Sequence, residues 1–143
     1  MLVFKETVGY NVLKLCKSYF NLLNVRMNAF NLYEGQDHLL RQLWEEDGLP
    51  QAELTRRLGV EAASVSKAIE RMEKSGFIVR QQDPEDARAN RIYLTETGRA
   101  LEQPVKDAWQ SIESQLLVGM TNEEKLLLRR LILQMRENLS RAE

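Results

Sequence analysis

The run from Leu49 to Thr95 constrains this chain more than any other stretch. Its apolar residues recur at helical spacing, break at a glycine, resume, and then switch to the two-residue period of a strand. Pro50 to Leu58 reads as a short helix with Leu54 and Leu58 one turn apart. Gly59 and Val60 interrupt it, and Ala62 to Ser75 resumes as a helix carrying Val65, Ile69 and Met72 inward. After Gly76, Ile78 to Gln82 and Arg91 to Leu94 are β-type runs. Asp83 to Asn90 between them is polar and turn-rich, the tip of a two-stranded hairpin. Leu54 and Leu58 can clamp Val65 and Ile69 at a steep angle, with Gly59 supplying backbone freedom at the turn. Helix, tight turn, helix, hairpin is a device for presenting one helix.

The outer face of that helix carries Ala63, Ser64, Ser66, Lys67, Arg71 and Lys74. Small groups at its start allow close approach to a surface, hydroxyls donate or accept, and cations follow on the same side. This chemistry suits a helix entering the major groove of duplex DNA by its N-terminal half. On the hairpin, Arg88 and Arg91 are expected to project from a loop that also holds Asp83, Glu85 and Asp86. Asp86, two positions before Arg88, is expected to orient the wing arginine by pairing with its guanidinium. Such a tip can follow a phosphate backbone or enter the adjacent minor groove. The same charges also describe a solvated loop with an incidental ion pair.

The flanks read as helices. Val8, Val12, Leu15, Tyr19, Leu22 and Leu23 recur at helical spacing from Thr7 to about Asn28. Asn31 and Gly35 flank a break, and Gln36 to Glu46 follows with Leu39, Leu40, Leu43 and Trp44 on one side. Gly48 suits the left-handed residue after that helix, and Pro50 the first turn of the next. Thr95 can cap a helix reaching about Leu117, within which Pro104 starts a helix or bends one. Thr121 with Glu124 forms a capping box for a last helix. There Leu126, Leu127, Leu128, Leu131, Ile132, Leu133, Met135 and Leu139 spread over more than one face. One neighbour cannot cover so wide a stripe. Either the helix runs through the middle of a monomeric core, or a second copy of the chain covers it.

Composition is neutral on function: twenty lysines and arginines against twenty-one acids give a net charge of −1, so any DNA affinity needs a local arrangement of cations. No run approaches the roughly eighteen apolar residues of a membrane span, and the apolar Met1 to Phe4 is too short for a secretory leader. The single cysteine, Cys16, forms no internal disulfide, which fits a reducing cytoplasm. Cys16 reads as inert, with Lys17 its only flanking cation. His38, the only histidine, has Asp37 beside it but no Cys or second His near enough for a metal site. No catalytic residues, metal or cofactor are expected, since no phosphate loop, Ser-His-Asp order or carboxylate pair occurs.

The segment LPQAELTRRLGVEAASVSKAIERMEKSGFIVRQQDPEDARANRIYLTETG resembles the DNA-binding core of the MarR family of regulators. The matching elements are Gln51-Ala52-Glu53-Leu54, Leu58-Gly59-Val60, Val65-Ser66-Lys67, Arg71-Met72-Glu73, Gly76-Phe77, Asp83-Pro84-Glu85-Asp86, Arg88, Leu94-Thr95 and Gly98, with Leu32 and Gln36 upstream. Thr55, Ala62 and Ala87 depart from its usual residues. The resemblance implies a mainly α (α+β) fold in a single chain. Residues 32–103 would form a winged helix-turn-helix lobe, and residues 1–31 and 104–143 a helical dimerisation region. It implies a homodimeric, cytoplasmic transcriptional regulator, a repressor, on a near-palindromic double-stranded operator. Ser64, Ser66, Lys67 and Arg71 would face the groove or its phosphates and Arg88 would be the wing contact. Tyr10, Tyr19, Phe20, Tyr33 and His38 fall where the family has a crevice for a small phenolic or other aromatic effector. The alternative is a winged-helix protein-interaction module without direct DNA binding.

Overall fold

The first helix starts at a cap: the Thr7 hydroxyl accepts the Tyr10 N–H at 3.1 Å, and α1 runs Val8–Asn28. The computed structural model describes residues 1, 3–33 and 35–142. Asn31 (φ +61°) turns the chain, and α2 occupies Gln36–Glu45. There follow β1 (Leu49–Pro50), α3 (Gln51–Leu58), α4 (Ala62–Lys74), β2 (Ile78–Gln82), β3 (Asn90–Leu94), α5 (Glu96–Ala100), α6 (Glu102–Leu116) and α7 (Asn122–Ser140). The capping box is in place, with the Glu124 N–H donating to the Thr121 hydroxyl and the Thr121 N–H to the Glu124 carboxylate. The chain is thus mostly helical, with one small antiparallel sheet.

Two expectations need correction. The hairpin is part of a three-stranded sheet of order β1-β3-β2, because Leu49 and Pro50 pair antiparallel with Ile92 and Arg91. Pro50 therefore precedes α3 as the end of a strand rather than lying within its first turn. The stretch after Thr95 is two helices, divided at Leu101. Pro104 lies in the first turn of α6, where its missing N–H costs no intrahelical bond.

Two compact units are distinguished, Met1–Trp109 and Gln110–Glu143. In the first, Leu32, Leu39, Leu40, Leu43, Leu54, Val65, Ile69, Met72, Ile78 and Ile92 are buried. Each such side chain contributes about 1.5–3 kcal/mol of burial, so this core holds the sheet and α2–α4 as one body. Polar ties add direction. The Asp47 carboxylate accepts the Gly48 and Leu94 N–H groups at 3.0 and 2.8 Å and pairs with Arg99. The Trp44 indole donates to the Gly98 carbonyl at 3.0 Å. In the second unit, α7 buries none of its residues within the single chain: Leu126 is 72% and Leu139 74% exposed. No helix is long and apolar enough to cross a membrane among the described residues.

Candidate nucleic-acid interface

Helix α4 turns Val65, Ile69 and Met72 inward, as its period requires, and leaves Ala63, Ser64, Ser66, Lys67, Arg71 and Lys74 exposed. Its start is held against α3 by the Gln51 side-chain amide, which donates to the Ser66 hydroxyl at 3.0 Å. No side chain caps the N-terminus, and Ala62 and Ala63 are exposed. The acids on α4 are matched: Glu70 faces Lys74 at 3.5 Å, and Glu73 pairs with Arg80 of β2 at 2.7 Å. Among the described residues, Lys67, Arg71 and Arg88 take part in no ion pair. A cavity of about 340 Å³ opens beside this face, lined by Tyr33, Gln36, Ser64, Lys67, Ala68 and Arg71.

Acids likewise neutralise the cations of α3. Glu53 accepts from Arg56 at 2.9 and 2.6 Å and from Arg57 at 2.9 Å, while Arg57 also reaches Glu46 at 2.6 Å. The hydrogen bonds from Arg56 and Arg57 hold the Glu53 carboxyl down at about 2. Arg56 and Arg57 are therefore satisfied within the lobe.

The wing differs from the sequence expectation in its wiring. The Asp86 carboxylate accepts the backbone N–H of Arg88 at 3.0 Å, rather than pairing with its guanidinium. An aspartate reaches the N–H two residues on without ordering a long side chain, so the shorter bond wins. The exposed Arg88 then stands on a loop closed by Asp83 N–H to the Ala89 carbonyl (2.9 Å) and the Gln82 amide to the Ala87 carbonyl (2.6 Å). Arg91 does not project from the tip. It lies in β3, its Nε donating to Asp83 at 2.8 Å and its Nη1 to the Gly48 carbonyl at 2.9 Å. The Glu85 N–H, burial and Arg91 act together on Asp83, and the net effect keeps its carboxyl below the ordinary value.

Of the five aromatic-crevice candidates, Tyr33 and His38 line two different cavities. Tyr33 opens beside Lys67 and Arg71, whereas His38 lines a groove of about 480 Å³ with Gln42, Arg57, Leu58 and Ser64. Tyr10 lies under the Lys14 ammonium, and Phe20 is 55% exposed. Tyr19 and His38 instead meet at Trp109, with ring centroids 6.1 and 6.3 Å away. The Arg41 guanidinium stacks on the same indole at 4.6 Å and contacts the His38 ring. The Trp109 N–H donates to the buried Asp37 at 3.3 Å. Burial, partly opposed by Asp37 and reinforced by Arg41, pushes the His38 imidazole below its ordinary value. The sequence does not bring Trp109 to Asp37 and His38, since nothing local joins positions 37 and 109.

Residues 32–89 match the model of the MarR family. The HTH-type transcriptional regulator YdgJ of Bacillus subtilis is 28% identical over 105 residues, covering 73% of this chain and 64% of its own length. The structure of the transcriptional regulator SlyA superposes with a TM-score of 0.80 at 25% identity, over 94% of this chain and 95% of that one. Residues 32–89 thus resemble the MarR family, and over most of its length the chain is similar to transcriptional regulators. A MarR-family regulator from Listeria monocytogenes, complexed with a 26mer DNA, shares the fold with a TM-score of 0.77 at 22% identity, over 96% and 91% of the two chains. The MarR match runs from Leu32 through the wing tip and contains every exposed α4 residue named above, together with Arg88 of the wing. Helices α1, α6 and α7 lie outside it.

Proposed function

We propose that this chain is a MarR-family regulator that binds duplex DNA in a sequence-specific way and represses transcription from the cytoplasm as a homodimer on a near-palindromic operator. The observation that carries the reading is the outer face of α4, where Lys67 and Arg71 stand free of ion pairs beside Ala63, Ser64 and Ser66. The uncapped N-terminus of α4 offers N–H groups and a positive dipole end to phosphate. Lys67 and Arg71 are assigned to base edges or phosphates in the major groove, Lys74 to the backbone, and Arg88 to the adjacent groove. The interaction-module alternative is favoured by a charge strip broken by Glu70, Glu73 and Glu85; Glu73 is matched by Arg80 and Glu70 by Lys74, whereas Glu85 takes part in no ion pair among the described residues.

Residues 32–103 are assigned as the binding lobe, and 1–31 with 104–143 as the dimerisation region. Support comes from apolar side chains that the single chain leaves exposed on α7, Leu126, Leu127 and Leu131 among them, and on α1, at Val8, Leu13 and Phe20. Patches of this kind ordinarily find a partner. Two lobes related by a two-fold axis would meet successive major grooves roughly 34 Å apart. Around Trp109, the stacked Arg41, Tyr19 and His38 form a setting for a small phenolic or other aromatic effector, the guanidinium meeting its acid group.

The test is selection of duplexes from a random library by the purified protein, then mobility shifts with Lys67→Ala and Arg71→Ala. Each should weaken binding by about 1–3 kcal/mol if it contacts a base edge. Affinity should fall steeply with salt through counterion release. Wild-type affinity in both variants would reject this reading face.

A further inference from the structure

We propose that Arg91 is a positioning residue that sets the reach of the wing relative to α4, and that it does not contact DNA. The inference rests on the DNA-binding reading above. Its guanidinium forks: Nε donates to Asp83 at the base of the wing tip, and Nη1 donates to the Gly48 carbonyl at the entry to β1. Asp83 is 10% exposed, and its other oxygen accepts the Glu85 N–H at 2.9 Å while its own N–H donates to the Ala89 carbonyl. One carboxylate thus holds both sides of the tip, and Arg91 holds that carboxylate.

The other arm of the fork reaches the reading helix. Gly48 leads into Leu49–Pro50, which pairs with Ile92 and Arg91, and Pro50 passes directly into Gln51. Gln51 donates to Ser66 on α4. Hydrogen bonds and one short stretch of chain therefore run without a gap from the base carrying Arg88 to the face carrying Lys67. A hairpin joined to the lobe by its strands alone would swing, and each swing direction would have to be frozen on binding. Only a planar fork fits this role: a lysine retains the charge but cannot serve two acceptors set apart in this way.

The experiment compares Arg91→Lys, Arg91→Gln and Asp83→Asn in the full chain, using a duplex selected by the wild type. All three should bind about tenfold more weakly, with the dependence of log affinity on log salt unchanged. Minor-groove protection at the flanks of each half-site should fade while major-groove protection stays. The double variant Asp83→Asn with Arg91→Gln should be no weaker than either single one. In the absence of DNA, amide order parameters over residues 85–89 should drop in Arg91→Lys.

If Arg91→Lys binds like wild type and Arg91→Gln lowers the salt slope by about 0.9, Arg91 is a phosphate contact and the inference is overturned. Unchanged order at the tip overturns it without reference to DNA. A wild-type chain that selects no duplex overturns the underlying reading, and the inference with it.

Discussion

Gly98 sits where no side chain fits. A Cβ built on it would lie 2.1 Å from the Phe77 carbonyl oxygen, 3.0 Å from the Phe77 carbonyl carbon and 3.3 Å from Leu94 Cδ2. Two of these neighbours are backbone and cannot rotate away, so Gly98→Ala must displace α5 or the Phe77 peptide by roughly 1 Å. The Phe77 carbonyl accepts the Thr95 N–H at 3.0 Å, and the Gly98 carbonyl accepts the Trp44 indole at 3.0 Å, so the shift strains both bonds. Two hydrogen bonds at about 1 kcal/mol each, with overpacking strain of about 1–3 kcal/mol, give a loss of about 3–5 kcal/mol. For a chain of this size that lowers Tm by roughly 6–20 °C. Thermal unfolding followed by circular dichroism, at fixed protomer concentration, measures it. A Tm within about 2 °C of wild type, with the amide shifts of Phe77 and Thr95 unmoved, would refute the close approach on which the estimate rests.

Gly59 tests backbone freedom by itself, because its φ is +64° and nothing lies within 4 Å of a built Cβ. Gly59→Ala should cost about 1 kcal/mol in chemical denaturation and Gly59→Asn less. The Glu53 carboxyl should titrate near 2 in a carbon-detected NMR series. Its folded value lies below the ordinary 4.5, so any stability it adds is complete above that value and lost as pH falls toward 2. Since the Glu53 side chain is still partly open to solvent, added salt should move its midpoint back toward the ordinary value. Leu127→Glu and Leu131→Glu, in exposed apolar positions on α7, should leave the lobe folded but yield monomers by light scattering, with DNA binding lost in parallel. Dimers formed as readily as by wild type would exclude this face from the interface.

What the sequence reveals here follows the range of the forces involved. Helix α4 and its inward triad Val65, Ile69 and Met72 were legible because a helix brings residues three and four apart onto one face. The Thr95 and Thr121 caps were legible for the same reason, each bond spanning three residues. Strand β1 was not: two residues, one a proline, carry no period, and they are strand only because Ile92 and Arg91 lie opposite. The bonds from Trp44 to Gly98, Asp47 to Leu94 and Trp109 to Asp37 join positions 47 to 72 residues apart, with no local trace. Asp86 is a different case. Its bond to the Arg88 N–H spans two residues and obeys a local rule, but the competing guanidinium pairing drew on charge alone.

Charge also explains why composition was silent about the proposed interface. A net charge of −1 says only that the signs are equal in number, and pairing decides which cations remain available. Glu46 and Glu53 occupy Arg57, and Glu53 also holds Arg56; Glu73 holds Arg80, Asp83 holds Arg91, and Asp47 holds Arg99. These pairs sit on α3, within the sheet and at the foot of the wing, where a cation organises the lobe. Lys67, Arg71 and Arg88 stand outside them. An exposed cation with no internal partner gives up little on meeting a phosphate, whereas a paired one must first break its own bond. Within α4 and the wing, the proposed reading face is where Lys67, Arg71 and Arg88 are left unpaired by the acids of the described residues.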